Sequence, residues 1–217
     1  MRKLVSGYKK FREEVYPEKK EDFARLAKSQ NPDTLFITCS DSRIDPSMIL
    51  QTKPGELFIC RNAGNIVPAH GDHNGGVSAT IEYAVNVLKV RDIVICGHSD
   101  CGVMRGLLHP ERVAKLHNVS HWLRYGARAR AVMDEICGEG HSDTEKIMEL
   151  ARQNVLAQMD NLRTHPSVAA AIVKRGLQIH GWIYQIEDGA IHACTPHQHN
   201  FVPLDMFPIL EEKLLSA

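Results

Sequence analysis

No apolar run long enough to cross a bilayer occurs anywhere in the 217-residue chain, so nothing in it reads as a transmembrane helix. The opening MRKLVSGYKKFREEVYPEKK carries charges every few residues and lacks the apolar stretch of a secretory signal. A cytoplasmic protein is therefore expected. Charge of one sign is not in excess either, with 26 basic residues against 26 acidic ones. Without a basic face or an acidic tail, electrostatic capture of nucleic acid or of an anionic membrane has no basis, and the expected partner is a small molecule. Cysteine is sparse and scattered (Cys39, Cys60, Cys96, Cys101, Cys137, Cys194), which excludes a small disulfide scaffold and fits a reducing compartment. Repeats, low-complexity tracts and obvious linkers are also missing. What remains is one sizeable domain over residues 31–217, preceded by a helical arm over residues 1–30.

The arm is read from Leu4, Val5, Tyr8, Phe11 and Val15 at helical spacing, interrupted by Pro17, and from a second short helix carrying Phe23, Leu26 and Ala27. TLFITC (34–39) and ELFICR (56–61) are β-branched apolar runs bounded by turn signals, both expected as strands buried on two faces. A helix over 76–89 leads into a third strand, DIVICG. Further helices follow: a short one after Gly102, a long one over residues 120–137, one opened by the Ser142/Glu145 capping box, and one from Pro166 to Gly176. Asp188-Gly189 marks a hairpin in LQIHGWIYQIEDGAIHAC. Strands separated by helices predict an α/β fold, a mainly parallel central sheet flanked by helices.

In such sheets chemistry gathers beyond the carboxyl ends of the strands. The third strand ends in ICGHSDCG, placing His98 and Cys101 three residues apart at a strand-to-turn junction, and TLFITC ends in Cys39. Two thiolates and one imidazole suit zinc, with the fourth tetrahedral position left to water or another residue. Taken singly, each of these residues also reads as a core cysteine or a capping histidine; together they read as a metal site. Extended backbone after Cys39 would carry Asp41 and Arg43 to the same side. Cys60, Cys96, Cys137 and Cys194 read as core or incidental, and His197 and His199 of PHQH as exposed loop polarity.

With these residues in view, the chain resembles the β-class carbonic anhydrases of the bacterial and cyanobacterial branch. The resemblance rests on CSDSR (39–43) and HSDC (98–101), and extends through PGELFICRNAGNIVP, GGVSATIEYAVNVLKV, SHWLRYGARARAV, NLRTHPSV and HGWIYQIEDG. It implies one zinc ion per subunit on Cys39, His98 and Cys101, an Asp41/Arg43 pair beside the metal, and reversible hydration of carbon dioxide to bicarbonate. It further implies a pocket lined by Gln30, Phe58, Ala63 and Tyr83, completed by a neighbouring subunit of a homodimer or larger assembly. Gly102, opening a helix, would turn its N–H toward the bicarbonate anion. Relatives that close the zinc with the aspartate carry a tryptophan three residues before the first cysteine; Phe36 stands there, favouring Asp41 on Arg43. Hydrolysis of carbonyl sulfide or carbon disulfide, and a non-catalytic zinc site closed by Asp41, remain the alternatives.

Overall fold

The computed structural model describes residues 1–72, 74–195 and 200–206. The chain divides into two units, Met1–Asn31 and Pro32–Ala217. In the first, α1 (Arg2–Lys10) runs into a π-helical turn (Phe11–Val15), then α2 (Tyr16–Glu18) and α3 (Lys20–Leu26). Phe11, Tyr16 and Phe23 form its small aromatic cluster, with centroids 5.5–6.1 Å apart. Pro17 was expected to interrupt this helix. Instead it sits in the first turn of α2, where no backbone N–H is required of it, and the break falls at Lys19.

The second unit is built on β1 (Thr34–Cys39), β2 (Leu57–Asn62), β3 (Asp92–His98), β4 (Gln178–Tyr184), β5 (Ile191–Cys194) and β6 (Phe201–Pro203). They form one sheet in the order β2-β1-β3-β4-β5-β6. The β2, β1, β3 and β4 strands run parallel, and β5 and β6 are antiparallel additions at one edge. Around the sheet lie α4 (Pro46–Leu50), α5 (Gly76–Asn86), α6 (Gly102–Leu108), α7 (His117–Leu123), α8 (Ala127–Ile136), α9 (Asp143–Thr164) and α10 (Pro166–Arg175). The mainly parallel α/β architecture read from the sequence is the one observed.

Strand alternation assigns the two faces. Leu35, Ile37 and Cys39 of β1, with Ile93 and Ile95 of β3, point into the main core beside Ile81 and Val85 of α5 and Leu150 and Val155 of α9. Phe36, Val94 and Cys96 point the other way, under Trp182. Helix α9 starts with the expected capping box, Ser142 and Glu145 each serving the other's backbone N–H. It lies directly on β3 and β4: a Cβ at Gly181 would come within 2.8 Å of Val155 Cγ1, so only glycine fits under it.

Three further expectations are corrected. The β2 strand is not buried on two faces; it is the sheet edge, with Ile59 38% exposed, because the order β2-β1 leaves it one neighbour among the described residues. The helix expected over 120–137 breaks into α7, a 3-10 turn at Arg124–Gly126, and α8, where Leu107 packs against Gly126. The third concerns the chain beyond Cys39: residues 41–44 turn rather than extend, with the Ile44 N–H donating to the Asp41 carbonyl at 3.0 Å. His197 and His199 lie outside the described residues. No helix among the described residues is long and apolar enough to cross a membrane.

Candidate metal centre

From β1 the chain crosses to β2 on one side, and β3 then pairs with β1 on the other, so the connections diverge above the carboxyl ends of these central strands. Cys39 ends β1, His98 ends β3, and Cys101 precedes α6. Their Sγ and ring-nitrogen atoms all lie within 4.8 Å of one another, and all three residues are buried. Tetrahedral bonds of roughly 2.3 Å to sulfur and 2.0 Å to nitrogen would separate such donors by about 3.5–3.8 Å, so a small contraction closes the shell.

The donor chemistry fits the ion. His98 Nδ1 sits 2.8 Å from the Ser99 carbonyl, which only accepts, so Nδ1 carries the proton. Nε2 is left as a buried lone pair without a hydrogen-bond partner of normal geometry among the described residues. The same Ser99 is fixed by its hydroxyl, which donates to Glu187 at 2.8 Å and accepts the Ile186 N–H at 3.0 Å. Cys39 has its thiol pulled down to about 4, chiefly by the Cys101 thiol donating to it, with help from the N–H groups of Gly64 and Asp41. Cys101 is pushed well up by that same thiolate and by burial. The two thiols thus oppose each other's deprotonation, and a divalent cation between them would favour loss of both protons. Cys96, by contrast, faces the opposite side of the sheet, its thiol pushed up to about 12 by burial.

Asp41 turns its carboxylate into the same space: Oδ2 lies 4.0 Å from His98 Nε2. It accepts the Arg43 backbone N–H (3.0 Å) and Nε–H (2.9 Å) at Oδ1, and Nη2 (2.8 Å) at Oδ2. This tight turn, rather than an extended chain, is what puts Asp41 and Arg43 together. The Arg43 side chain holds the Asp41 carboxyl far below the usual range. Its stabilising contribution is therefore present above about pH 3.9 and is lost only as the pH falls through the lower folded value. Arg61, at the end of β2, donates to the Cys39 (3.1 Å) and Asp41 (2.7 Å) carbonyls and fixes the segment.

Behind Cys39 stands a support that the sequence did not reveal. The Gly64 N–H donates to Cys39 Sγ at 3.4 Å, and Asn154 Nδ2 donates to the Gly64 carbonyl at 3.0 Å. Gln158, one turn along α9, donates to Asn154 at 2.9 Å and accepts the Val67 N–H at 2.8 Å. Gly64 adopts φ +81°, and a Cβ there would meet Val103 Cγ1 at 2.6 Å. Gly64→Ala should therefore weaken zinc affinity about 10–100-fold, as disturbed outer-shell contacts do, read by competition with a chromogenic chelator. Unchanged affinity would mean that the N–H contact to sulfur is dispensable.

Of the remaining expected residues, Phe58 and Tyr83 pack on each other at 5.9 Å between β2 and α5. Ala63 is exposed and its carbonyl accepts Trp122 Nε1 at 2.8 Å. Gly102 opens α6, but the N–H groups directed at the site from that turn are those of Val103 and Met104, and they reach Cys101 sulfur. Gln30 is exposed in the N-terminal unit.

Residues 34–191 match the carbonic anhydrase family model. The fold superposes on the β-carbonic anhydrase CcaA with a TM-score of 0.90 and 40% identity, covering 94% of this chain and 98% of that one. The chain belongs to the β-carbonic anhydrase family. A carbonic anhydrase of Pseudomonas aeruginosa is 46% identical over 96% of this chain and 94% of its own length. One of two tetrameric β-carbonic anhydrases of Sordaria macrospora is 34% identical, with a TM-score of 0.72 over 88% of this chain and 92% of that one. This β-carbonic anhydrase is thus a zinc-dependent lyase that interconverts carbon dioxide and bicarbonate.

Proposed function

We propose that Cys39, His98 and Cys101 hold the zinc and that Asp41 and Arg43 orient the reaction beside it. The observation that carries this is the orphaned Nε2 of His98, buried among two thiols within 4.8 Å. Zinc held there supplies the Lewis acidity that turns solvent water, with a pKa of about 15.7, into a nucleophile near neutral pH. Asp41, pinned by the Arg43 fork, would accept a hydrogen bond from the attacking water and orient it toward carbon dioxide. The Arg43 guanidinium keeps the carboxylate in place through two parallel bonds. Phe58, Ala63 and Tyr83 line the approach, and Gly102 borders it.

Cys39 and Cys101 as thiolates cancel the formal charge of a divalent ion, so this donor set acidifies water less than neutral histidines would. The hydration rate is expected to rise with pH through the alkaline side of neutrality. Edge strand β2, with exposed Ile59 and neighbouring Tyr83 and Val87, offers backbone and apolar surface to a second copy of this chain. We infer a homodimer or a multiple of it, acting in the cytoplasm. Metal analysis, sedimentation and a carbon dioxide hydration assay across pH, on one preparation, test the reading. One zinc per chain, a mass at least twice the 24.3 kDa of one chain, and a rate rising above pH 7 are expected. Zinc without hydration at any pH would overturn the catalytic assignment of Asp41 and Arg43.

A further inference from the structure

The Arg43 fork does not end at Asp41. Its Nη1 donates to Asp100 Oδ2 at 3.1 Å, and its Nη2 also reaches the Asp100 backbone carbonyl at 3.1 Å. The other carboxylate oxygen of Asp100, Oδ1, is taken by Arg105 Nη2 from α6. Asp100 lies between His98 and Cys101 in the left-handed region, at φ +50°, a conformation that is uncommon for a residue other than glycine. The two loops that bring the metal donors together, one after β1 and one after β3, are thus tied by a chain of alternating charges: Asp41, Arg43, Asp100, Arg105. We propose that Asp100, neutralised by Arg105, is a positioning residue that anchors Arg43 and so keeps Asp41 from becoming a fourth protein donor to the metal.

Asp100 could instead be a rival, drawing Arg43 away from Asp41. Two features decide against that. A guanidinium offers five N–H groups, and the two carboxylates use different ones: Asp41 takes Nε and one Nη2 proton, while the Asp100 carboxylate takes Nη1. Arg105 also balances the charge of Asp100, so that its effect on Arg43 is one of geometry. Arg43 is 43% exposed, and a solitary ion pair at that exposure has little hold on a long side chain. Anchored at Asp100, Arg43 presents a fixed edge to Asp41, whose Oδ2 is only 4.0 Å from the metal-facing nitrogen. With that anchor removed, the carboxylate is free to reach the ion.

The inference rests on the zinc site proposed above, and its test separates the two. Asp100→Ala and Asp100→Asn are prepared as zinc proteins beside the wild type. For Asp100→Ala, the expected results are a hydration kcat/KM lower by about 10–100-fold and zinc loss to a chelator slower by about tenfold, because a fourth protein donor now holds the ion. The visible spectrum of the cobalt-substituted protein should shift to match. Asp100→Asn keeps an acceptor for Arg43 Nη1 and should recover most of the rate. A merely structural role for Asp100 would loosen the site and speed zinc loss, which overturns the proposal, as does a wild-type cobalt spectrum in Asp100→Ala. If the wild type itself binds no zinc, the functional reading falls and takes this inference with it.

Discussion

Replacing Cys101 by serine should empty the site of zinc and drop carbon dioxide hydration to the solvent background. The reason lies in the two touching thiols. The Cys39 thiol is pulled down by the neighbouring Cys101 thiol, and the Cys101 thiol is pushed up in return. Zinc needs both sulfurs deprotonated, and a serine hydroxyl in the same buried place does not give up its proton to complete the set. What is lost with the ion is the activation of water, which from about 15.7 to roughly 7 would be on the order of 12 kcal/mol at 1.36 kcal/mol per unit and is less than that for a donor set with two thiolates. Metal analysis and stopped-flow hydration measure the two effects. Cys96→Ala is the companion variant: that thiol is two residues from His98 but faces the other side of the sheet, under Phe36 and Trp182. It should keep its zinc and its rate. Retained activity in Cys101→Ser, or loss of zinc in Cys96→Ala, would mean that the donors have been assigned wrongly.

The second large effect is expected at Arg43. Arg43→Gln removes the fork that occupies both Asp41 oxygens, leaving a carboxylate 4.0 Å from His98 Nε2 without a counter-charge. Zinc should remain bound, since no donor is touched, while hydration falls by about 10²–10⁴-fold, the range for losing a positioned acid–base group. Arg43→Lys should recover little, because an ammonium is a point charge and does not reproduce two parallel bonds. The comparison with Asp41→Asn is informative, since that variant removes the acceptor itself and should lose activity to a similar extent. A rate for Arg43→Gln within a few-fold of wild type would make the pair a structural ion pair only.

Much of this site was legible because its donors end two apolar strands whose composition announces them, TLFITC and DIVICG. The capping box at Ser142 and the hairpin at Asp188-Gly189 were equally readable, since each is fixed by neighbours within a few residues. The sequence was silent where a neighbour distant along the chain decides the outcome. ELFICR has the composition of a central strand, and only the order of pairing makes β2 an edge. The three-residue β6 is too short to carry a period and exists because β5 lends it a partner. Gly64, Asn154 and Gln158 lie in unremarkable stretches, separated by about ninety residues, and meet only when α9 crosses the loop. Spacing alone aligned Cys39, Asp41 and Arg43 along one side, but the Asp41 carboxylate binds the Arg43 N–H and curls the chain there.

Cys39 and His98 stand on β1 and β3, the two innermost parallel strands, and Cys101 follows three residues later, all of them backed by a core that includes Leu35, Ile37, Ile93 and Ile95. Small zinc modules acquire their shape only when the metal arrives; a buried core of this extent supplies its own driving force for folding. Removal of the ion by a chelator should therefore leave the sheet folded, as read by an unchanged far-ultraviolet circular dichroism spectrum and a retained cooperative thermal transition.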